Sequence, residues 1–242
     1  PRDPGDAREA ARAFGAFARA LSSYAGPPIA EVLPGFHDTA ARIETLERAI
    51  EEDPVGRARA CKGEILGVLQ RWDLGQEFPP LLEDGRVPIR LAHNDAKIAN
   101  VLFDEATGRA RWVVDLDTVM PGTLLHDFGD LVRSSVAHTP EDGGTTMEAD
   151  PALFEALAEG FTAELGDVLT PAEWEHLETA GRVITFEQAV RFLTDHLQGD
   201  PYYGATTPDR NLWRARTQLV LLASLEKHRE RFRAAVERLA PR

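Results

Sequence analysis

Strand signals in this 242-residue chain are confined to one stretch, Arg90 to Gly122, and that confinement limits the fold more than any other feature. "IRLAH" is short and apolar, while "NVLFD" and "ARWVVDL" flank "EATGR", which reads as a hairpin with a glycine-containing turn. A two-stranded hairpin is marginal alone in water, so it must pack on something else. The rest of the chain supplies helices. Asp3 or Asp6 caps the first, with Phe14, Phe17, Leu21 and Tyr24 at helical spacing. "AGPPIAEVLPG" breaks the pattern, Asp38 caps a second helix, and Asp53 followed by Pro54 predicts the start of a third with Val55, Ile65, Leu69 and Trp72 inward. "DLGQEFPPLLEDGRVP" reads as loop, and after "MPG" the chain returns to helix. Further helices are expected from Asp127 to about His138, from Asp150-Pro151, from Thr170-Pro171 to Leu197, and from Asp209 to Leu239. "HTPEDGGTTMEAD" is the segment with the most mobile composition. The expected fold class is α+β and mostly helical, with one small β-hairpin insert.

Charge and cysteine use narrow the function. The net charge of −13 disfavours nucleic acid and anionic membrane as partners, since both demand basic patches that release counterions. Cys61 is the only cysteine, which rules out an intrachain disulfide and a cysteine-cluster zinc site and fits a reducing, cytoplasmic setting. No apolar run approaches the roughly 20 residues of a membrane span, and no signal peptide opens the chain. Lysine occurs only at positions 62, 97 and 227, so Lys97 in the middle of the strand-rich stretch is unlike casual surface filler.

That stretch carries a cluster of polar groups: His93, Asn94, Asp95, Lys97, Asn100, Asp115 and Asp117. Asn100 follows Asp95 by five residues, and the hairpin returns Asp115 toward Asn100. The plain reading is turn capping by Asx side chains. The chemical reading is a phosphoryl-transfer site. Kinases use an H-R-D-x-x-x-x-N loop followed by a metal-holding Asp, and His93-Asn94-Asp95 with Asn100 has the same grammar. Asp95 would accept the proton of a hydroxyl acceptor. Asn100 and Asp115 would hold Mg2+, which binds through one or two carboxylates and the oxygens of a phosphate donor such as ATP. Lys97 would reach a phosphate oxygen as a mobile charge. The scattered histidines lack H-E-x-x-H spacing, and Ser134 and Ser135 lack a nucleophile elbow, so zinc and serine hydrolysis find no support.

The blocks "LAHNDAKIANVLFD", "VVDLDTVMPG" and "HDFGD" resemble the aminoglycoside phosphotransferase and choline kinase-like family. Their H-N-D-x-K and D-L-D-T-V-M-P-G forms, with "RFLTDHLQGDPYY" and "NLWRARTQ" further on, are most similar to bacterial N-acetylhexosamine 1-kinases. The resemblance implies the C-terminal lobe of a protein-kinase-like fold across 1–242. It divides into a helical subregion (1–85), a segment with catalytic loop, hairpin and metal residues (86–135), and a helical acceptor-binding subregion (136–242). It implies Asp95 as catalytic residue, Asn100 and Asp115 as magnesium ligands, and Asp117 and Thr118 facing the substrate. Asp127 opens a D-F-G triplet but comes after the D-L-D block, so the resemblance makes it a brace under the loop rather than a metal ligand; His93 is expected to support the same loop. Arg191 is either the middle of a surface ladder with Glu187 and Asp195 or a wall of the acceptor pocket, and Tyr202 either packs down or stacks on a sugar ring.

The chain has no phosphate-cradling glycine motif, so the N-terminal nucleotide lobe is expected to be absent and the chain, as a fragment, to turn over ATP negligibly by itself. The expected reaction is ATP-dependent phosphorylation of a small sugar, an N-acetylhexosamine at its anomeric hydroxyl. An aminoglycoside, choline or homoserine acceptor, or a non-catalytic kinase-like binding domain, are the alternatives.

Overall fold

Helix α7, Pro171–Leu197, is the axis of the molecule. Thr170 and Glu173 form a reciprocal capping box at its start, and almost every residue along it is buried because neighbours pack on all sides. The computed structural model describes residues 1–138, 147–207 and 209–241. Around α7 lie α2 (Thr39–Glu52), α3 (Lys62–Leu69), α5 (Leu124–Ser135), α8 (Arg210–Lys227) and α9 (Arg229–Leu239). Helix α1 (Pro4–Ser22) pairs with α6 (Pro151–Leu165) and also touches the strands. The short α4, Pro79–Glu83, lies on the way to the first strand.

Several helix starts follow from their caps. Asp3, Asp38, Asp150 and Thr170 each accept a backbone N–H of the first turn, and proline stands at the start of α1, α6 and α7. Other expectations need correction. Asp53 does not open the third helix. It closes α2 in the left-handed region at φ 36°, its N–H on Ala49 O, and its carboxylate takes the Ala58 N–H across the following turn. Helix α3 therefore starts at Lys62, and Val55, Leu69 and Trp72 are exposed while only Ile65 of that set is buried. Helix α5 begins one turn before Asp127, because Thr123 Oγ1 accepts the His126 N–H. The final helix breaks at His228 into α8 and α9. The break turns α9 onto α6, where Phe232 stacks on Phe154 at 4.1 Å and 15°. Burying a phenylalanine is worth roughly 1.5–3 kcal/mol, which outweighs continuing one straight helix into solvent. Residues 139–146 of the segment with mobile composition lie outside the described residues.

Two small antiparallel ladders lie against this body. Strands β2 (Val101–Phe103) and β3 (Ala110–Val113) form the hairpin. Its turn is held by Asp104, whose carboxylate accepts from the Ala106 and Thr107 N–H groups and the Thr107 hydroxyl. Strand β1 (Arg90–Ala92) pairs with β4 (Met120–Gly122), a strand the sequence hides because it contains both Pro121 and Gly122. This second ladder closes the segment from β1 to β4 into a loop whose two ends are adjacent, with the polar cluster inside it.

Candidate active site

The loop between β1 and β2 is fixed from four directions. Asp127, at the start of α5 and 2% exposed, accepts the His93 N–H at 2.9 Å and the Asn94 N–H at 2.7 Å. Burial pushes its carboxyl up, against the pull of those two N–H groups. The Asn94 amide donates to the carbonyls of Ala92, Thr118 and Met120, tying the loop to β1 and β4. Asn94 sits at φ 62°, a strained region that asparagine tolerates best among non-glycine residues. A Cβ at Gly122 would overlap Asn94 Oδ1, so only glycine lets the amide lie over β4. His93 is fully buried between Phe14 and Phe17. Its Nε2 donates to Val114 O at 3.1 Å and its Nδ1 accepts the Asp95 N–H at 3.3 Å. That pattern of one donor and one acceptor is the neutral imidazole.

The fixed loop places four side chains together. Lys97 Nζ lies 2.6 Å from Asp95 Oδ2 and 3.9 Å from Asp115 Oδ2. Asn100 Nδ2 donates to Asp95 O at 2.9 Å and Asp95 Oδ2 at 3.2 Å. Asp115 ends the hairpin at φ 64°, and the Val114 N–H bonds Asn100 O, which holds the two ligand candidates side by side. The donor set suits magnesium. Among the described residues the Asn100 amide nitrogen donates to Asp95 and nothing donates to its Oδ1, and the Asp115 carboxylate has Lys97 as its sole ionic partner. Among the described residues no three His, Cys, Asp or Glu side chains cluster as a metal cage. Magnesium would thus rest on Asn100 and Asp115 and fill its remaining positions with phosphate oxygens and water, its usual habit.

Beside Asp95 opens a cavity of about 280 Å3 lined by Asp95, Lys97, Thr118, Arg191, Tyr202 and Arg214, among others. Arg191 is in its wall and not in a surface ladder. Its side chain is only 9% exposed, its guanidinium lies 4.7 Å from the Phe36 ring, and Glu187 is 3.8 Å away. Asp195, the other supposed rung, accepts instead from the Tyr202 and Tyr203 N–H groups and from Asn211, and so shapes the loop that carries Tyr202. Thr118 spends its hydroxyl on His93 O at 2.7 Å. Asp117, expected on the same wall, is exposed and is not among the lining residues. The buried pair Asp130–Arg133, at 2.7 Å, completes the floor and was not foreseen.

Residues 1–174 match the model of the phosphotransferase enzyme family known as APH. The chain belongs to this family. Its members are phosphotransferases of small-molecule kinase type, which generally work with ATP and Mg2+. The matched span holds Asp95, Lys97, Asn100, Asp115 and Asp127, and it ends at the start of α7, before Arg191 and Tyr202. No helix of the described residues is long and apolar enough to cross a membrane.

Sequence reasoning missed a trio of titratable residues, His37, Glu187 and His126, on the other side of the loop that carries Asp95. His37 Nε2 lies 2.9 Å from Asn94 O and its Nδ1 2.9 Å from Glu187 Oε1, while Thr39 donates to Glu187 Oε2 at 2.7 Å. Both nitrogens face acceptors, so the imidazolium fits best. Burial opposes that charge, but Glu187 and the Asn94 carbonyl outweigh it and raise the His37 pKa. Burial likewise works against the Glu187 carboxylate, and His37 together with Arg191 and Thr39 overcomes it, leaving the pKa at about 2. His126 stacks on His37 at 4.7 Å and 29°. Burial first, and the neighbouring His37 charge second, lower its pKa to about 3. The only sequence signal for the trio was polar residues among apolar neighbours.

Proposed function

We propose that the protein transfers the γ-phosphoryl group of ATP to a hydroxyl of a small neutral sugar, an N-acetylhexosamine at its anomeric position. The observation that carries the reading is the state of Asp95. Its Oδ2 is held by Lys97 and Asn100, while Oδ1 receives no hydrogen bond from any described residue and the side chain lines the cavity. A hydroxyl in that cavity would give its proton to Oδ1 as its oxygen forms the bond to the γ-phosphorus and ADP departs. Lys97 keeps Asp95 oriented and carries positive charge toward the phosphate. Magnesium, held by Asn100 and Asp115, supplies charge stabilisation for the transferred group.

The acceptor class follows from the wall. Arg191 presents guanidinium donors and Tyr202 a ring that is 67% exposed, a partner for a sugar face. The lining holds two carboxylates, Asp95 and Asp130, and Asp130 is already paired with Arg133. A polycationic acceptor needs more free negative charge than that, and a quaternary ammonium needs open aromatic faces, whereas Arg191 and Arg214 already cover the Phe36 and Tyr203 rings of the lining. A panel of sugars, aminoglycosides, choline and homoserine, each with ATP and Mg2+, tests the reading by phosphorus NMR of the product. The assay is run on this chain and on the chain with any sequence encoded before Pro1. A sugar 1-phosphate that disappears in Asp95→Asn is the expected result. Phosphorylation of choline or an aminoglycoside but no sugar would overturn the acceptor assignment, and no acceptor-dependent ADP release in either form would overturn the kinase reading.

A further inference from the structure

A second cavity, of about 330 Å3, lies behind the catalytic loop. It shares Phe36, His37 and Asn94 with the first, but Asp95, Lys97 and Arg191 are not in its lining. Its body is apolar, built by Phe36, Leu74, Phe78, Leu82 and Met120, and Ile89 stands at its edge 59% exposed. Its polar content is distinctive in two ways. No lysine or arginine lines it, while Glu31, Asp38 and Glu83 do. His126 stands in its wall 94% buried by complement of its 6% exposure, with Nδ1 sealed from solvent, and neither ring nitrogen is hydrogen-bonded to a described residue. The sealed Nδ1 is out of an occupant's reach, so the ring atom left for an occupant is Nε2, which no described residue hydrogen-bonds and which gains a partner only from what enters the cavity.

We infer that this cavity binds a small aromatic amine that is not a substrate: a flat apolar body between Phe36, Phe78 and Met120, a ring N–H or nitrogen on His126, and an ammonium toward Glu31 and Glu83. Anionic ligands are disfavoured by the carboxylates, and the His37 imidazolium in the lining already spends both ring nitrogens on Glu187 and the Asn94 carbonyl. Asp95 is absent from the lining, so an occupant lies out of reach of the group proposed to take the acceptor's proton and would act as an effector. The route to the active site is short. The occupant meets His126, His126 stacks on His37, and His37 Nε2 holds Asn94 O in the catalytic loop. Binding stands on this cavity alone; the effect on phosphoryl transfer rests on the proposed function.

Tryptamine is a suitable probe, with indole-3-acetate as the anionic counterpart of similar shape. Titration by calorimetry and by ligand-observed NMR should give saturable one-to-one binding of tryptamine to the unmodified protein and at least tenfold weaker binding of the acid. Leu82→Trp, which fills the cavity, should abolish tryptamine binding, and His126→Phe should weaken it at least fivefold. Arg191→Ala, in the other cavity, should leave it unchanged. No saturable binding of tryptamine, or equal binding of the acid, would overturn the inference without recourse to any variant. Loss of binding in Arg191→Ala with retention in Leu82→Trp would overturn it by placing the probe beside Asp95. Because the readout is binding, a failed kinase assay leaves each of these outcomes interpretable.

Discussion

Asp127 gives both of its carboxylate oxygens to the N–H groups of His93 and Asn94, and that use separates it from Asp95, whose Oδ1 receives no hydrogen bond from a described residue. The two should respond differently to the same substitution. Asp127→Asn turns one acceptor into an NH2 group facing an N–H, so it should destabilise the protein by roughly 1–3 kcal/mol in urea unfolding. Asp95→Asn should leave stability nearly unchanged and lower kcat by about 10²–10⁴-fold with little effect on KM, because its role belongs to the transition state. Equal stability losses from both would refute the division of labour. The residues whose partners are local were legible in the sequence: Asp95, Lys97 and Asn100 meet within one loop, and Asp115 returns on the hairpin. His37 and Glu187 were not, because they are 150 residues apart, and His37 meets Asn94 across 57. Nothing in the chain near His37 marks it as a support for the catalytic loop. Arg191 was ambiguous for the same reason, since its cation–π partner Phe36 is remote from it along the chain.

Elements were legible where a cap announced them and obscure where one residue pair had two meanings. Thr170-Pro171 and Asp150-Pro151 open helices as expected, whereas Asp53-Pro54 has the same composition and ends one. The difference is the left-handed backbone at Asp53, set by the tertiary position of the turn and invisible in a residue pattern. The D-F-G triplet is likewise explained by element packing. Asp127 braces the loop, Phe128 is fully buried in the core, and Gly129 is where α5 crosses α7, since a Cβ there would come within 2.5 Å of Ala180 O. Backbone cannot move aside as a flexible side chain does. Gly129→Ala should therefore lower the melting temperature, although alanine favours a helix by roughly 1 kcal/mol over glycine, because overpacking a helix crossing costs typically 1–3 kcal/mol. A raised melting temperature would overturn the tight α5–α7 crossing as the reason for glycine at position 129. Gly122→Ala belongs to the same class. It should displace the Asn94 amide from β4 and reduce activity more than stability, measured as a fall in kcat with the fold intact by circular dichroism.

For the molecule as a whole, the buried trio sets a pH dependence with a defined direction. His126 titrates at 6.5 when unfolded and at about 3 when folded, because burial and the His37 charge disfavour its protonated form. Below pH 6.5 the unfolded chain takes up a proton that the folded protein refuses, so the stability His126 contributes is complete above 6.5 and is lost as pH falls toward 3. His37 runs the other way. Its folded pKa is raised, so its contribution is complete below 6.5 and is lost only as pH rises through the folded value. Glu187, at about 2 when folded against 4.5 unfolded, loses its contribution only below 4.5. Between pH 6.5 and 5 the trio therefore reduces to His126 alone, and linkage gives a loss of about 2 kcal/mol over that interval. Urea unfolding at the two pH values measures it. His126→Phe keeps an aromatic ring beside His37 and removes its titration, so it should make the dependence across that window much shallower, leaving the share of His196, whose pKa burial and Arg57 also lower. If the variant loses stability between pH 6.5 and 5 as steeply as the parent, the proton is taken up elsewhere and His126 is not the group that the folded core holds neutral.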